Sequence, residues 1–168
     1  MNETEATRAS VGPMQRVAVF LATGAGFGYS PVASGTVGTL WGIPLVWAMQ
    51  GFPVWGQAVY ATALTLLAIP ICHAAEGVFR KKDDGRIVAD EYLTFPVGLI
   101  GLPFHPALLV FAFVTNRFFD ILKPPPAAQL QRLRGGLGIV VDDLAAALYS
   151  LILNHLFYQL VLKATLSS

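Results

Sequence analysis

The chain alternates long uncharged runs with short charged ones. Val37 to Gln50 carries no charge, and after the turn signal Gly51-Phe52-Pro53 the sequence is uncharged again from Val54 to Ala75. The second run, 22 residues, is long enough to cross the roughly 30 Å hydrocarbon core of a bilayer as one helix. The first run reaches only about 21 Å at 1.5 Å per residue and predicts a short, tilted or partly interfacial helix. Leu144 to Leu162 predicts another span, with Asn154 and His155 inside it as interhelical hydrogen-bonders.

Tyr92 to Asn116 is uncharged too, but Pro96, Pro103 and Pro106 and the cluster Gly101-Leu102-Pro103-Phe104-His105-Pro106 interrupt it. Two half-length helices joined by that turn are expected in place of a single crossing. Charge agrees: Arg80, Lys81, Lys82 and Arg86 precede the stretch, and Arg117, Lys123, Arg132 and Arg134 follow it. The tendency of cations to stay on the cytoplasmic side places both flanks there, whereas one crossing would separate them. The expected fold class is therefore all-α, an integral membrane helical bundle with a broken or re-entrant helical hairpin near residues 92–116. Residues 16–168 are expected to form one membrane-embedded domain behind a disordered tail at 1–15. The alternation of a membrane β-barrel is absent, as is any internal repeat.

Composition strengthens the membrane assignment. The chain is 55% hydrophobic and 12% charged, with a mean hydropathy of +0.60, where soluble domains carry about 25% charged residues. A formal net charge of +1 lacks the clustered Lys and Arg surplus that phosphate-backbone binding needs, so no nucleic-acid partner is expected. Cys72 is alone, which removes a disulfide framework within one chain. The polar N-terminus and the short apolar stretch behind it do not make a signal peptide. The inner membrane of a bacterium is the expected location.

Five acids, Asp90, Glu91, Asp120, Asp142 and Asp143, fall at the edges of apolar runs in three places. A hairpin at 92–116 would open all five onto one face, where they would repel one another unless protons or cations neutralised them. An all-oxygen ligand set suits a hard ion such as Mg²⁺. His73, His105 and His155 lie in different segments without paired ligand spacing, which disfavours zinc. Each acid also has a structural reading of equal weight. Asp142 or Asp143 would cap the apolar helix that follows, and Asp90 and Glu91 would sit favourably in a first helical turn.

Arg117, Asp120 and Lys123, spaced by three, drift over about 120° of a helix and share one face. They could form a surface ladder with a snorkelling Lys. Equally, two cations flanking a carboxylate make a cradle for a metal-bound phosphate. In Thr23 to Leu40, Gly24, Gly26, Gly28, Gly35 and Gly38 interleave with hydroxyl residues. Such a backbone can approach an anion before the helix expected near Thr36, or can simply pack closely. It is not a dinucleotide fingerprint, because the third Gly and a βαβ context are missing.

The blocks GFGYSPVASGTVGTL, DDGRIVADE, RFFDILKPPP and GGLGIVVDDLAAAL occur in order within Gly24 to Leu148. In these the chain resembles the phosphatidylglycerophosphatase A family, bacterial membrane enzymes that convert phosphatidylglycerophosphate to phosphatidylglycerol. The resemblance implies a Mg²⁺-dependent lipid phosphatase with a phospholipid substrate drawn from the bilayer and an active site facing the cytoplasm. It implies metal ligands among Asp90, Glu91, Asp120, Asp142 and Asp143. It implies catalytic roles for Asp143, Asp142, Asp120, Lys123 and Arg117, and phosphate contacts from Ser30, Thr36, Arg117 and Lys123; Asp83 also matches. Ser34-Gly35-Thr36 stands where the family reads Pro-Gly-Thr, and Thr94 and Ala147 stand where it usually has Gly.

In such a site the acids would hold Mg²⁺ against phosphate oxygens, and Asp143 would orient or deprotonate the attacking water; a phospho-aspartyl route is equally compatible. Position 78 is Val, so the Arg that a cysteine-nucleophile phosphatase needs six residues after Cys72 is absent. The rival readings are a small transporter or ion-conducting subunit, which would place acids inside spans facing a pore, and a catalytically inactive structural homologue.

Overall fold

A computed structural model describes residues 12–125, 127–130, 133 and 135–166. Residues 1–11, most of the expected tail, lie outside the described residues, as do the flanking cations Arg132 and Arg134. Pro13 opens the first helix, α1 (Pro13–Ala22), so positions 13–15 are helical. The described residues contain helices and turns but no strand, in accord with the all-α reading.

Among the described residues, two helices are long and apolar enough to cross a membrane: α4 (Val54–Phe79) and α8 (Gly136–Phe157), the latter continuing through a π-helical turn at Tyr158–Leu162 into α9 (Lys163–Leu166). Trp47, Trp55, Val59, Leu66, Ile152 and Leu160 are exposed. An apolar surface this extensive is what lipid contact requires. The protein is a membrane helical bundle.

The run Val37–Gln50 is not one helix. It divides at Trp41 into α2 (Ser34–Leu40) and α3 (Gly42–Met49). Pro44 has no N–H to donate to the Leu40 carbonyl, so a continuous ladder fails there. Gly42 also lies so close to Phe95 that a Cβ would strike its ring.

The interrupted stretch forms a hairpin, as its prolines predict, but with unequal limbs. The outgoing limb is α5 (Ala89–Thr94) plus a 3₁₀ segment at Phe95–Leu99, and the return is α6 (Pro106–Leu122), a full 17-residue helix that the short α7 (Ala127–Leu130) follows. Pro96 falls at the start of the 3₁₀ segment, where the missing N–H ends α-helical bonding. The tip reaches the end of the bundle where α4 begins. There the Gly101 N–H donates to Gln57 Oε1 at 2.8 Å, and His155 Nε2 lies 3.0 Å from the Ile100 carbonyl. Both limbs therefore have their charged ends on the same side.

Asn154 and His155 are the interhelical hydrogen-bonders that the sequence suggests. Asn154 Nδ2 donates to the Gly98 carbonyl at 2.8 Å, and Thr115 Oγ1 lies 3.1 Å from Asn154 Oδ1 and 2.6 Å from Ser150 Oγ. This buried cluster ties the outgoing limb, α6 and α8 together. The buried apolar residues form separate clusters, one with Val46, Met49, Phe95, Leu99 and Leu108 and another with Ala68, Cys72, Ala75, Leu93 and Val140.

The start of α8 corrects the sequence reading. The helix begins at Gly136, not near Leu144, so Asp142 and Asp143 sit in its second turn and cap nothing. Gly136 lies against the α4 backbone, where a Cβ would strike the Ile69 carbonyl and the His73 amide nitrogen. Tertiary approach thus overrides the poor helix propensity of the Gly-Gly-Leu-Gly segment.

Asn154→Ala should lower stability by about 1 kcal/mol, because the Gly98 carbonyl and Thr115 hydroxyl lose their partner in a dry interior. Thermal melting in detergent micelles measures this, and Ser150→Ala should have a smaller effect.

Candidate functional site

Each charged segment enters the same end of the bundle for a local reason. The α4 helix stops where Arg80 turns left-handed (φ 52°), sending residues 81–88 across the end of the bundle toward α5. In that connection Arg86 donates to both Asp84 carboxylate oxygens, from Nε at 2.7 Å and from Nη2 at 3.0 Å, and stacks 3.9 Å from the centre of the Phe79 ring. This hydrogen bonding holds the Asp84 carboxyl below the usual carboxylate range. The loop after α1 seats against the same connection: a Cβ on Gly28 would strike the Arg86 carbonyl, and Ser34 Oγ donates to the Gly85 carbonyl at 2.7 Å.

A cavity of about 460 Å³ lies among these loops, α5, α6 and α8. Asp90, Glu91, Asp120, Asp142 and Asp143 all line it, as do Arg117, Lys123, Ser30 and Asp83. The segments Ala89-Asp90-Glu91 and Val141-Asp142-Asp143 therefore meet at one end of the bundle. Thr36, on α2, is not among the lining residues; Ser34 and Gly35 of the same helix are. Ser30 Oγ donates to the Val32 carbonyl at 2.8 Å, which shapes its own loop.

Within the cavity the charges are already partly partnered. Arg117 Nη1 lies 3.0 Å from Glu91 Oε2 and 3.1 Å from Asp120 Oδ2, and Lys123 Nζ donates to Asp142 Oδ2 at 2.6 Å. The Arg117–Asp120 step of the ladder reading is present, and the same Arg also pairs across to Glu91 on α5. Lys123 crosses to α8 from the left-handed cap of α6 (φ 46°).

Among the described residues, Asp90 and Asp143 have no cation as partner. They face each other at hydrogen-bonding range, and the Oδ1 atom of each is buried with no partner. Two such carboxylates cannot both carry charge without a proton or cation between them. This oxygen-only pair suits a hard divalent ion, so Asp90 and Asp143 are the residues best placed to hold Mg²⁺. Among the described residues no three acidic, histidine or cysteine side chains are grouped closely enough to hold an ion by themselves. Mg²⁺ commonly binds through one or two carboxylates and completes its shell with water and substrate phosphate, so the pair fits it.

Two contributors escape the sequence. Thr39 Oγ1 lies 3.1 Å from Glu91 Oε2 and 2.9 Å from the Gly35 carbonyl. Its position one helical turn after Gly35 was the available signal. Gly35 itself is required for space, since a Cβ there would strike Glu91 Oε1 and Arg117 Nη2.

The family model of phosphatidylglycerophosphatase A matches residues 20–158. This chain belongs to that family. Phosphatidylglycerophosphatase A of Escherichia coli is 35% identical over 135 residues, 77% of this chain and 77% of the relative. Its counterpart in Haemophilus influenzae is 33% identical over 138 residues, 79% of this chain and 83% of the relative. A putative phosphatidylinositol-3-phosphatase of Bacteroides thetaiotaomicron is 31% identical over 144 residues, 80% of this chain and 89% of the relative. No solved structure matches the chain. Membership of the family makes the protein a phosphatase.

Gly35→Ala and Gly28→Ala should separate site from scaffold. Gly35→Ala displaces the ends of two side chains and should reduce phosphate release about 100-fold, the scale of misplaced catalytic groups, with little change in melting temperature. Gly28→Ala meets a backbone carbonyl instead and should lower the melting temperature, as overpacking does.

Proposed function

We propose that the protein is a Mg²⁺-dependent lipid phosphatase that hydrolyses the terminal phosphate monoester of phosphatidylglycerophosphate to phosphatidylglycerol and inorganic phosphate. In this reading it works at the cytoplasmic face of a bacterial inner membrane. The observation that carries the proposal is the composition of the cavity wall. Arg117, Lys123 and the five acids share the cavity with Ile121, which is 76% exposed and continues into the exposed apolar residues Phe118 and Leu122. A ligand suited to both would carry an anionic head on an apolar body.

The chemistry assigned to the side chains is that of phosphoryl transfer, where positioning and charge neutralisation supply most of the acceleration. Asp90 and Asp143 would hold Mg²⁺, which would supply positive charge to offset that of the phosphate oxygens. Arg117 and Lys123 hold the anionic phosphoryl group, while Glu91, Asp120 and Asp142 hold those two cations in place. Asp143 accepts a proton from the attacking water as its oxygen bonds to phosphorus. The phosphorus–oxygen ester bond breaks, and the alcohol oxygen of the lipid takes up a proton from solvent water at the cavity mouth as it leaves, while Asp143 returns its proton to solvent. Acyl chains remain in the bilayer throughout, so the lipid need not be extracted.

Placement of the acids also bears on the transporter alternative. Asp142 and Asp143 lie within a span-length helix, but in its second turn and facing an end cavity lined with cations. That position suits a head-group site better than a conduction path.

Asp143→Asn should reduce phosphate release at least about 100-fold, the usual contribution of a positioned acid or base, without loss of membrane insertion. Purified protein should be assayed on phosphatidylglycerophosphate, phosphatidylinositol 3-phosphate and a soluble phosphate ester, with Mg²⁺ and with chelator. Chelator should abolish release, and phosphatidylglycerophosphate should be the preferred substrate. Undiminished turnover in the Asn variant would remove Asp143 from the mechanism.

A further inference from the structure

Among the described residues, the buried side-chain nitrogen and oxygen atoms without a hydrogen-bond partner belong to four residues: Asp90, Asn116, Arg117 and Asp143. Three of them are members of the site. The fourth, Asn116, is 1% exposed, and both its amide nitrogen and its amide oxygen are unpartnered. A buried carboxamide in this state is expensive, and a native fold retains one where water, an ion or a functional partner completes it.

The helix geometry shows what Asn116 faces. Its neighbour Thr115 bonds Ser150 and Asn154, which fixes that side of α6 against α8. Arg117 bonds Glu91, which turns the other side toward α5. At about 100° per residue, Asn116 falls between these directions, about 40° from Asp120 and one turn deeper. It therefore enters the seam between α5 and α8, beneath the place where Asp90 and Asp143 meet. Thr94, one turn after Asp90, is fully buried at a corresponding depth, its hydroxyl 2.6 Å from the Asp90 carbonyl. One turn deeper than Asp143, α8 carries the small buried residues Ala146 and Ala147.

We propose that Asn116 is a positioning residue for the site, a polar floor whose amide, through one water, orients the unpaired oxygens of Asp90 and Asp143 for the cation they would hold. Asn116 does not line the cavity, so it acts on these carboxylates and not on the lipid. The inference rests on the phosphatase reading above. A neutral amide suits this role, because its N–H donates to a carboxylate or a water without adding charge that would compete with the cation.

Asn116→Leu replaces the unpartnered amide with an apolar group of similar size. If the amide were only an unsatisfied core group, this variant would be as stable or more stable and fully active. The proposal expects instead that kcat falls about 10- to 100-fold, the usual effect of losing a group that orients metal ligands, with KM for phosphatidylglycerophosphate within about twofold. It also expects the half-saturating Mg²⁺ concentration for turnover to rise, and the increase in melting temperature on adding Mg²⁺ to shrink.

Asn116→Ala and Asn116→Ser, nearly equal in size, guard against a failure of the Leu variant to fold. The Ser hydroxyl, which can hold a water, should retain several-fold more activity and Mg²⁺ response than Ala. Wild-type turnover and a wild-type Mg²⁺-dependent melting shift in the Leu variant, or equal behaviour of Ala and Ser, would overturn the proposal. Failure of the wild-type protein to release phosphate with Mg²⁺ would defeat the phosphatase reading, a distinguishable result.

Discussion

The arrangement depends on how few cations face the acids that line the end cavity. Arg117 serves Glu91 and Asp120 together, Lys123 serves Asp142, and Asp90 and Asp143 face each other without either. Ion pairs in a partly buried setting gain from low dielectric only when geometry and hydrogen bonding compensate for lost hydration. Here Thr39 adds a hydroxyl at Glu91, and the Cβ-less Gly35 lets that pair approach α2. Among the described residues the remaining acidic pair has no cation beside it, so both carboxylates can carry charge only with a proton or an added cation between them.

Bringing these charges together imposes a topology. The α5, α6 and α8 helices must present their charged ends on the same side, which a simple up-and-down crossing of residues 92–116 could not do. The re-entrant limb solves this, and its length is set at the far end. Asn154, His155 and Gln57 each bond the backbone between Gly98 and Gly101. These polar contacts lie far from the acids yet determine how deep the limb runs, and so where Asp90 and Glu91 emerge. Fold and site are coupled through the limb.

Much of this was legible from residue order. The prolines at 96, 103 and 106 and the cations on both flanks predicted the hairpin, and the acids at run edges marked the residues that meet. What escaped depends on contacts distant in sequence. The glycines before Asp142 look like a loop, but Gly136 is there to touch the α4 backbone, so α8 starts earlier than hydropathy suggests. Pro44 signals a break in its run, yet only the close approach of Gly42 to Phe95 explains why the chain turns there. Thr39 and Asn116 carry no charge, and their relation to Glu91 and the acid pair exists only after α2, α5, α6 and α8 have packed.

The position of the site along the bundle also bears on substrate choice. A soluble phosphate ester needs only the cations and acids, whereas a lipid must lower its phosphate into the cavity while its chains stay apolar. Ile121 lies at that boundary: it helps line the cavity, and it lies one residue after Asp120 and two before Lys123. On its flank, Phe118 and Leu122 face outward. The polar and lipid-facing sides of α6 thus adjoin within one helical turn, so an anionic head group can reach Arg117 and Lys123 without its chains leaving the apolar phase. Under the proposed function, this wall would favour a phosphate attached to the membrane before it distinguished one head group from another.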